Sequence, residues 1–277
     1  MLLSSHVVAG NGIYWLKESN PTSRMEEFYV SLSKRVALND VSISEVDRLC
    51  GSAEVATIIV SKAQALEYIS DVFKGRECKA QFLSVLFSAG RYSSIDMGVL
   101  KTRHIAIEQP LMHQVSYASE HKQYIKRLGV LYSKRDDPVE IGMIKAMYKH
   151  KNLELVFRLT DDGSSSVEAL KEVIKVVDGI VVSPQSKLIT PTYIKPLLIA
   201  TIRQRIPVFG GLSPGFVKSG FSGGWYSTNE SISDTVVKVI NKFEDALPVE
   251  YAEKPVLVVN ERVSRHLRMQ MKRPTSP

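Results

Sequence analysis

From Gly12 onward, short apolar runs alternate with segments whose apolar residues recur at helical spacing. GIYWLKES predicts a strand, and in MEEFYVSLSKRV the residues Met25, Phe28, Tyr29, Leu32 and Val36 mark one face of a helix. Ser42 stands three residues before Glu45 in SISEVDRL, a capping-box spacing that predicts a short helix beginning there. VATIIVS is a continuous run rich in β-branched residues, the pattern of a strand covered on both faces, and SKAQALEYISDVF follows as its helix.

A second series starts at KRLGVLYS. Strand GVLYS, helix PVEIGMIKAMYKH, strand LELVFRL, helix SVEALKEVIKVV, strand GIVVS, helix TPTYIKPLLIATIRQR and strand PVFGG follow with short connections. Such alternation predicts parallel sheets built from right-handed crossovers, hence an α/β chain of two doubly wound lobes with the boundary between His121 and Arg127. SPGFVKSGFSGGWYSTNES then reads as a loop rich in Gly and Ser, ahead of the helix ISDTVVKVINKFEDAL and a last strand, PVLVVN. An extra strand, helix and strand after a complete second unit imply that the chain crosses back and returns. The expected division is 1–122 with 215–248 as one lobe and 123–214 with 249–277 as the other.

With 277 residues and 44% hydrophobic content, there is enough apolar material for two separate cores. The formal charge of +7 permits acidic partners, but Lys and Arg are spread along the sequence and no nucleic-acid recognition motif accompanies them, so a solvated basic surface is expected. Cys50 and Cys78 leave both a disulfide and two buried thiols open, and His104, His113 and His121 have no metal-ligand spacing. No apolar run reaches the ~18 residues of a membrane helix. MLLSSHVVAG lacks the basic start and apolar length of a secretory signal; it reads either as a first strand or as the tail of a longer signal.

GLSPG, Gly211 to Gly215, fits the G-x-S-x-G nucleophile elbow, but the residue after Ser213 is Pro214, which has no N–H to offer an oxyanion, and the following stretch reads as a loop. No phosphate-binding motif is present: Gly10 and Gly12 form a lone GxG. Asp136, Asp137, Asp161 and Asp162 are paired beside turn residues, where Asp is favoured for local hydrogen bonds. The chain is therefore expected to be no enzyme and to need neither metal nor cofactor. What remains is a set of small polar residues at strand ends: Ser61, Ser88, Ser133, Ser183 with Gln185, and Ser213. Singly these read as helix caps and turns; together they suit a site for a polar small molecule or a carboxylate.

The segments RLGVLYS, DGIVVSPQSKLIT, RQRIPVFGG and KPVLVVNERVSRHLRMQM, with a strand that closes on Asn260 and runs into a helix, resemble the substrate-binding proteins of uncharacterised bacterial ABC transporters, the group that includes tryptophan and other amino-acid binders. The resemblance covers Lys126 to the end and, more loosely, ATIIVSKAQAL of the first half. It implies the type 1 periplasmic-binding fold, two Rossmann-like lobes joined by three crossover strands with the ligand in the cleft between them. It also implies a periplasmic or cell-envelope location, and a permease or a membrane sensor as partner. By position, Ser61 and Gln64 match the family's polar residues after the first-lobe strand, and Ser183 to Ser186 match its second-lobe loop, with Ser213 and Gly220 on the return segment. Three departures stand out: Gln185 occupies a position where the family usually has Asp, which removes a partner for a ligand ammonium; the strand that usually leads to an Asp-Pro pair becomes LSVLFSAGRYSSID, with Arg91 and Tyr92 nearby; and the export signal expected of the family is missing.

Overall fold

Short buried apolar runs, Ile58–Val60 in the first half and Ile180–Val182 in the second, organise each half of the chain. The computed structural model describes residues 12–267 and 269, apart from 122, 150 and 162; MLLSSHVVAG and Asp162 lie outside the described residues. The chain divides into one unit of residues up to Ile107 with Thr228–Glu253, and a second of Glu108–Ser227 with the residues from Lys254 on. It passes from one to the other three times, after Ile107, Ser227 and Glu253.

The first unit contains β1 (Ile13–Leu16), α1 (Ser23–Ser33), β2 (Asn39–Val41), α2 (Val46–Cys50), β3 (Thr57–Val60), α3 (Ala63–Val72), β4 (Gln81–Val85), α4 (Ala89–Tyr92) and β5 (Lys101–Ala106). The second continues with α5 (Leu111–Ser119), β6 (Arg127–Tyr132), α6 (Pro138–Tyr148), β7 (Glu154–Leu159), α7 (Gly163–Val173), β8 (Gly179–Val182), α8 (Pro191–Arg203), β9 (Val208–Gly210), α9 (Pro214–Ser219) and β10 (Gly223–Tyr226). α10 (Asn229–Asn241) and β11 (Val249–Tyr251) return to the first unit, and β12 (Val256–Val259) with α11 (Glu261–Leu267) to the second.

The first sheet has the order β11-β5-β4-β3-β1-β2 and is parallel throughout. Alternation along a strand sends successive side chains to opposite faces, and both faces are covered here. Ile58, Val60 and Phe82 pack with Leu66 and Ile69 of α3, while Ile59, Leu83 and Val85 pack with Phe28 and Leu32 of α1 and Ile232 and Val236 of α10. Each such fully buried side chain contributes about 1.5–3 kcal/mol relative to exposure. The expected capping box forms: the Ser42 backbone N–H donates to Glu45 Oε2 at 2.9 Å, and a 3-10 turn leads into α2. The two thiol alternatives resolve as a disulfide between Cys50 and Cys78, which ties the end of α2 to the approach to β4.

The second sheet, β12-β10-β9-β8-β6-β7, follows the same logic, with Val130, Val181 and Phe209 in one core and Leu131, Ile180, Val182 and Val208 in the other. Its β10–β12 pair is antiparallel. Here three expectations are corrected. The stretch read as a loop after PVFGG holds α9 and β10; a helix forms despite its neighbouring glycines because Pro214 at its first turn presets φ and Gly220, at φ 135°, ends it. Residues 215–227 belong to the second unit, since β10 pairs with β9 and β12, and so does α5, which packs on β10, β8 and β9. Residues 249–251 belong to the first unit, because β11 pairs with β5.

At the end of β9 the backbone turns through Gly210 (φ 95°) and Gly211 (φ 86°). A Cβ at Gly210 would lie 2.5 Å from the Val182 carbonyl oxygen, so only glycine lets the chain leave β9 against the end of β8.

Closure of the 28-residue separation between Cys50 and Cys78 restricts the unfolded chain and should contribute roughly 3–4 kcal/mol. Reduction, or the double substitution C50A/C78A, is expected to lower the urea-unfolding free energy of the first unit by that amount; an unchanged midpoint would contradict this role.

Candidate functional site

Because the central strands of both sheets are buried on both faces, polar side chains gather where those strands end. In the first unit Ser61 follows β3 and Leu86, Phe87 and Ser88 follow β4. Ser61 is buried at 4% exposure and its hydroxyl has no hydrogen-bond partner among the described residues. Leu86 holds φ at 67°, a left-handed conformation that costs a non-glycine residue on the order of 1 kcal/mol or more. Ser88 caps α4 by accepting the Arg91 N–H at 3.3 Å.

Ser61 opens onto a pocket of about 400 Å3 whose lining includes Arg24, Lys62, Gln64 and Arg91. Gln64 stands exposed in the first turn of α3, and no side chain caps that helix. Its free N–H groups and dipole make the pocket floor electropositive. Two of the three cations are engaged: Lys62 pairs with Glu18 at 3.2 Å, and Arg91 with Glu67 at 2.5 Å. Arg24 makes no ion pair among the described residues, and burial pushes its guanidinium below the ordinary value against the milder pull of Glu27. A buried hydroxyl, an uncapped helix start and an unpaired cation line one pocket.

The second unit is built differently. Ser183, fully buried at the end of β8, donates to Asp136 Oδ1 at 2.5 Å, and the other carboxylate oxygen accepts the Ser133 N–H at 2.7 Å. Ser133 in turn donates to Asp161 Oδ1 at 2.5 Å. The Ser186 and Thr160 hydroxyls lie 2.7 Å apart, and Ser186 accepts the Leu188 N–H. The hydroxyls of Ser133, Ser183 and Ser186 are therefore engaged inside their own unit, as caps and as braces between strand ends. Gln185 donates its amide to Glu108 Oε1 at 2.8 Å, so a carboxylate stands beside the position from which the resemblance led us to miss one. Ser213 precedes α9 with no side-chain cap bond, and the helix that follows offers no N–H at Pro214.

The structure thus brings Ser61 and Gln64 together with a cation, Arg24, that sequence reasoning did not select. Asp136 and Glu108 were missed as well: the Asp136–Asp137 pair signals a turn, and Asp137 does cap α6 by accepting the Val139 N–H, which hides that its neighbour braces β8. His104 and His121 are core groups, His104 stacked on Tyr92 with centroids 4.8 Å apart and bonded to Ser84 at 2.9 Å, while His113 is half-buried. Burial pushes the His104 imidazole down to about 3. Tyr92 and Trp225 lie in the cores of their own units. No group of three or more potential ligands for a metal occurs among the described residues.

Burial raises the Asp136 carboxyl to about 6, against the pull of its bonds from Ser133 and Ser183, and nearby Asp161 adds to the rise. Burial likewise raises Glu140, whose carboxylate accepts the Met112 N–H, to about 7. Both groups hold protons more tightly folded than unfolded, so their stabilising contribution is complete below the ordinary carboxylate values and is lost as pH rises through about 6 and 7. Asp136→Asn is expected to shrink the loss of unfolding free energy between about pH 4 and pH 8 by on the order of 2 kcal/mol. Urea titrations at the two pH values check this, and equal pH dependence in both proteins would contradict it.

No protein-family model matches the sequence, and no curated protein matches it either. Solved structures do match. The chain is similar to the ligand-free, open form of a substrate-binding protein with adhesive properties from Clostridium difficile, at 13% identity and a TM-score of 0.63 over 96% of both chains. It is similar to an ABC domain in complex with L-Trp from Streptococcus pneumonia, at 13% identity and 0.57 over 95% of this chain and 96% of that one. A transcriptional activator of the comK gene from Bacillus halodurans matches at 14% identity and 0.54 over 94% and 95%. Two mostly parallel sheets, three chain crossings and these likenesses together establish the type 1 periplasmic-binding fold.

Proposed function

We propose that this chain is a non-catalytic solute-binding protein whose two lobes close on a small polar solute carrying an anionic group, such as a carboxylate or an amino acid. The observation that carries the reading is the first-unit pocket, where the unpartnered Ser61 hydroxyl, the uncapped start of α3 and the unpaired Arg24 converge. Hydroxyl, amides and guanidinium all donate, and a carboxylate accepts from all of them. A solute that contacts both lobes stabilises only the closed form, which a partner can then recognise. On this reading the partner is an ABC permease or a membrane sensor, and the protein works in the periplasm or cell envelope. No helix among the described residues is long and apolar enough to cross a membrane.

Of the remaining candidates, Gln64 lines the same pocket, Gln185 presents Glu108, and Ser88, Ser133, Ser183 and Ser186 shape strand ends rather than offer free hydroxyls. Ser213 belongs to the turn into α9. That saturation in the second unit favours a second reading, a binding-protein-like module that acts in sensing or protein contacts without a ligand of its own.

Thermal unfolding against small carboxylates, amino acids, sugars and nucleosides separates the two. A carboxylate-bearing solute at 100 times its Kd should stabilise the protein by about 2.7 kcal/mol. Arg24→Ala is expected to weaken that solute roughly 10- to 100-fold and Ser61→Ala by less, as for loss of a charge-assisted and a neutral hydrogen bond. Silence across the whole panel would favour the ligand-free module, and a sugar or nucleoside hit indifferent to Arg24 would overturn the anionic assignment.

A further inference from the structure

α6 has two apolar faces. Ile141, Ile144 and Tyr148 enter the core. Val139, Gly142, Met143, Ala146 and Met147 recur at i, i+3, i+4, i+7 and i+8, the spacing of a buried stripe, yet all five are exposed, Val139 by 66%, Met143 by 52% and Met147 by 45%. No charged side chain interrupts this outward face.

Beside it lies a groove of about 610 Å3 lined by Lys126, Arg127, Lys145, Lys149 and Lys151, of which Lys145 comes from α6 itself and Lys149 from its C-cap. Glu154 is the acidic residue in the lining, and Arg127 holds it at 3.0 Å. The Lys145 and Lys151 ammonium groups stand over the rings of Phe157 and Tyr148, 4.9 and 4.3 Å from their centroids. Two short stretches, Lys126–Arg127 and Lys145–Lys151, thus meet in one concentrated basic patch.

We propose that α6 and the adjoining cationic groove dock this unit on an anionic lipid bilayer. An apolar stripe beside long, flexible cations is the arrangement by which a helix lies in a membrane interface, its apolar side chains among the acyl chains and its ammonium groups among phosphates. Protein interfaces are depleted in lysine, and four of these five cations are lysines. A two-fold pairing of α6 with a second copy would set this excess charge against itself. The groove lies at the amino-terminal side of β6 and β7, whereas Ser133 and Thr160 follow their carboxyl ends.

Co-sedimentation of the full chain with vesicles tests the proposal. Partitioning onto vesicles of phosphatidylcholine with about 30% phosphatidylglycerol should exceed that onto phosphatidylcholine alone at least tenfold, and fall with added salt. Lys145→Glu with Lys149→Glu, and separately Met143→Ser with Met147→Ser, should each reduce it about tenfold or more while leaving thermal unfolding unchanged, as suits surface positions. Equal partitioning onto both vesicles, or anionic binding indifferent to both pairs of substitutions, would overturn it. So would capture of poly-glutamate as strong as that of the vesicles with the methionine changes inert, which would assign the cations to an acidic polypeptide. A wild-type dimer that the methionine changes dissolve without loss of vesicle binding would give the stripe to a second copy and overturn its part.

Discussion

Covering a sheet on both faces is the constraint from which the rest of this structure follows. Ile58, Ile59 and Val60 leave no room for an unpartnered polar group within β3, Ser84 is admitted among Phe82, Leu83 and Val85 of β4 because it bonds His104 at 2.9 Å, and Val130, Leu131, Ile180, Val181 and Val182 fill β6 and β8 in the same way. Burying a polar side chain among them without a partner would cost about 1–3 kcal/mol, a sizeable part of the total stability of a domain. Polar chemistry is therefore displaced to the strand ends, and parallel strands gather those ends on one side of the sheet. The gathering of polar groups at the carboxyl ends is thus a by-product of how the core is stabilised.

The same constraint explains what the sequence makes legible. VATIIVS and GIVVS are read correctly because a strand buried on both faces admits only apolar residues, whatever the tertiary detail. The helices after them are equally plain, and the Ser42–Glu45 cap forms as its spacing requires. What escapes is set by partners distant along the chain. β10 contains Gly223 and Gly224, which have no side chain to advertise a strand, and it is defined by pairing with β12 in the reverse direction. β11 is a three-residue edge recognisable only from β5 beside it.

At the strand ends the limit is sharper. Ser61 and Ser183 have the same local setting, a serine after a buried apolar run and ahead of a helical segment. One keeps a buried hydroxyl without a partner among the described residues, and the other donates a hydrogen bond to Asp136, 47 positions away. Local sequence cannot tell a free donor from an engaged one, since the difference lies in a residue brought in by the fold. Arg24 and Glu108 were overlooked for the same reason: charged residues are ordinary in loops and helix starts, and only the pocket around Arg24 and the amide of Gln185 over Glu108 distinguish them.

The threefold passage of the chain between units fixes an order of events during synthesis. α10 packs on α1 through Ser233 and Ser31 and through Asp234 and Arg35, pairs separated by about two hundred positions, and its Ile232, Val236 and Val239 complete a core begun by Trp15 and Phe28. The first unit to leave the ribosome is thus the one that must wait, with one side of its sheet covered by α1 but not by α10 while the whole second crossover series is made. Long-range closure of this kind is slow and leaves apolar surface open in the interval. A nascent chain halted before α10 would present the part of that sheet face which α1 leaves open, which makes the stretch between Ile107 and Thr228 the period in which this protein depends most on protection from aggregation.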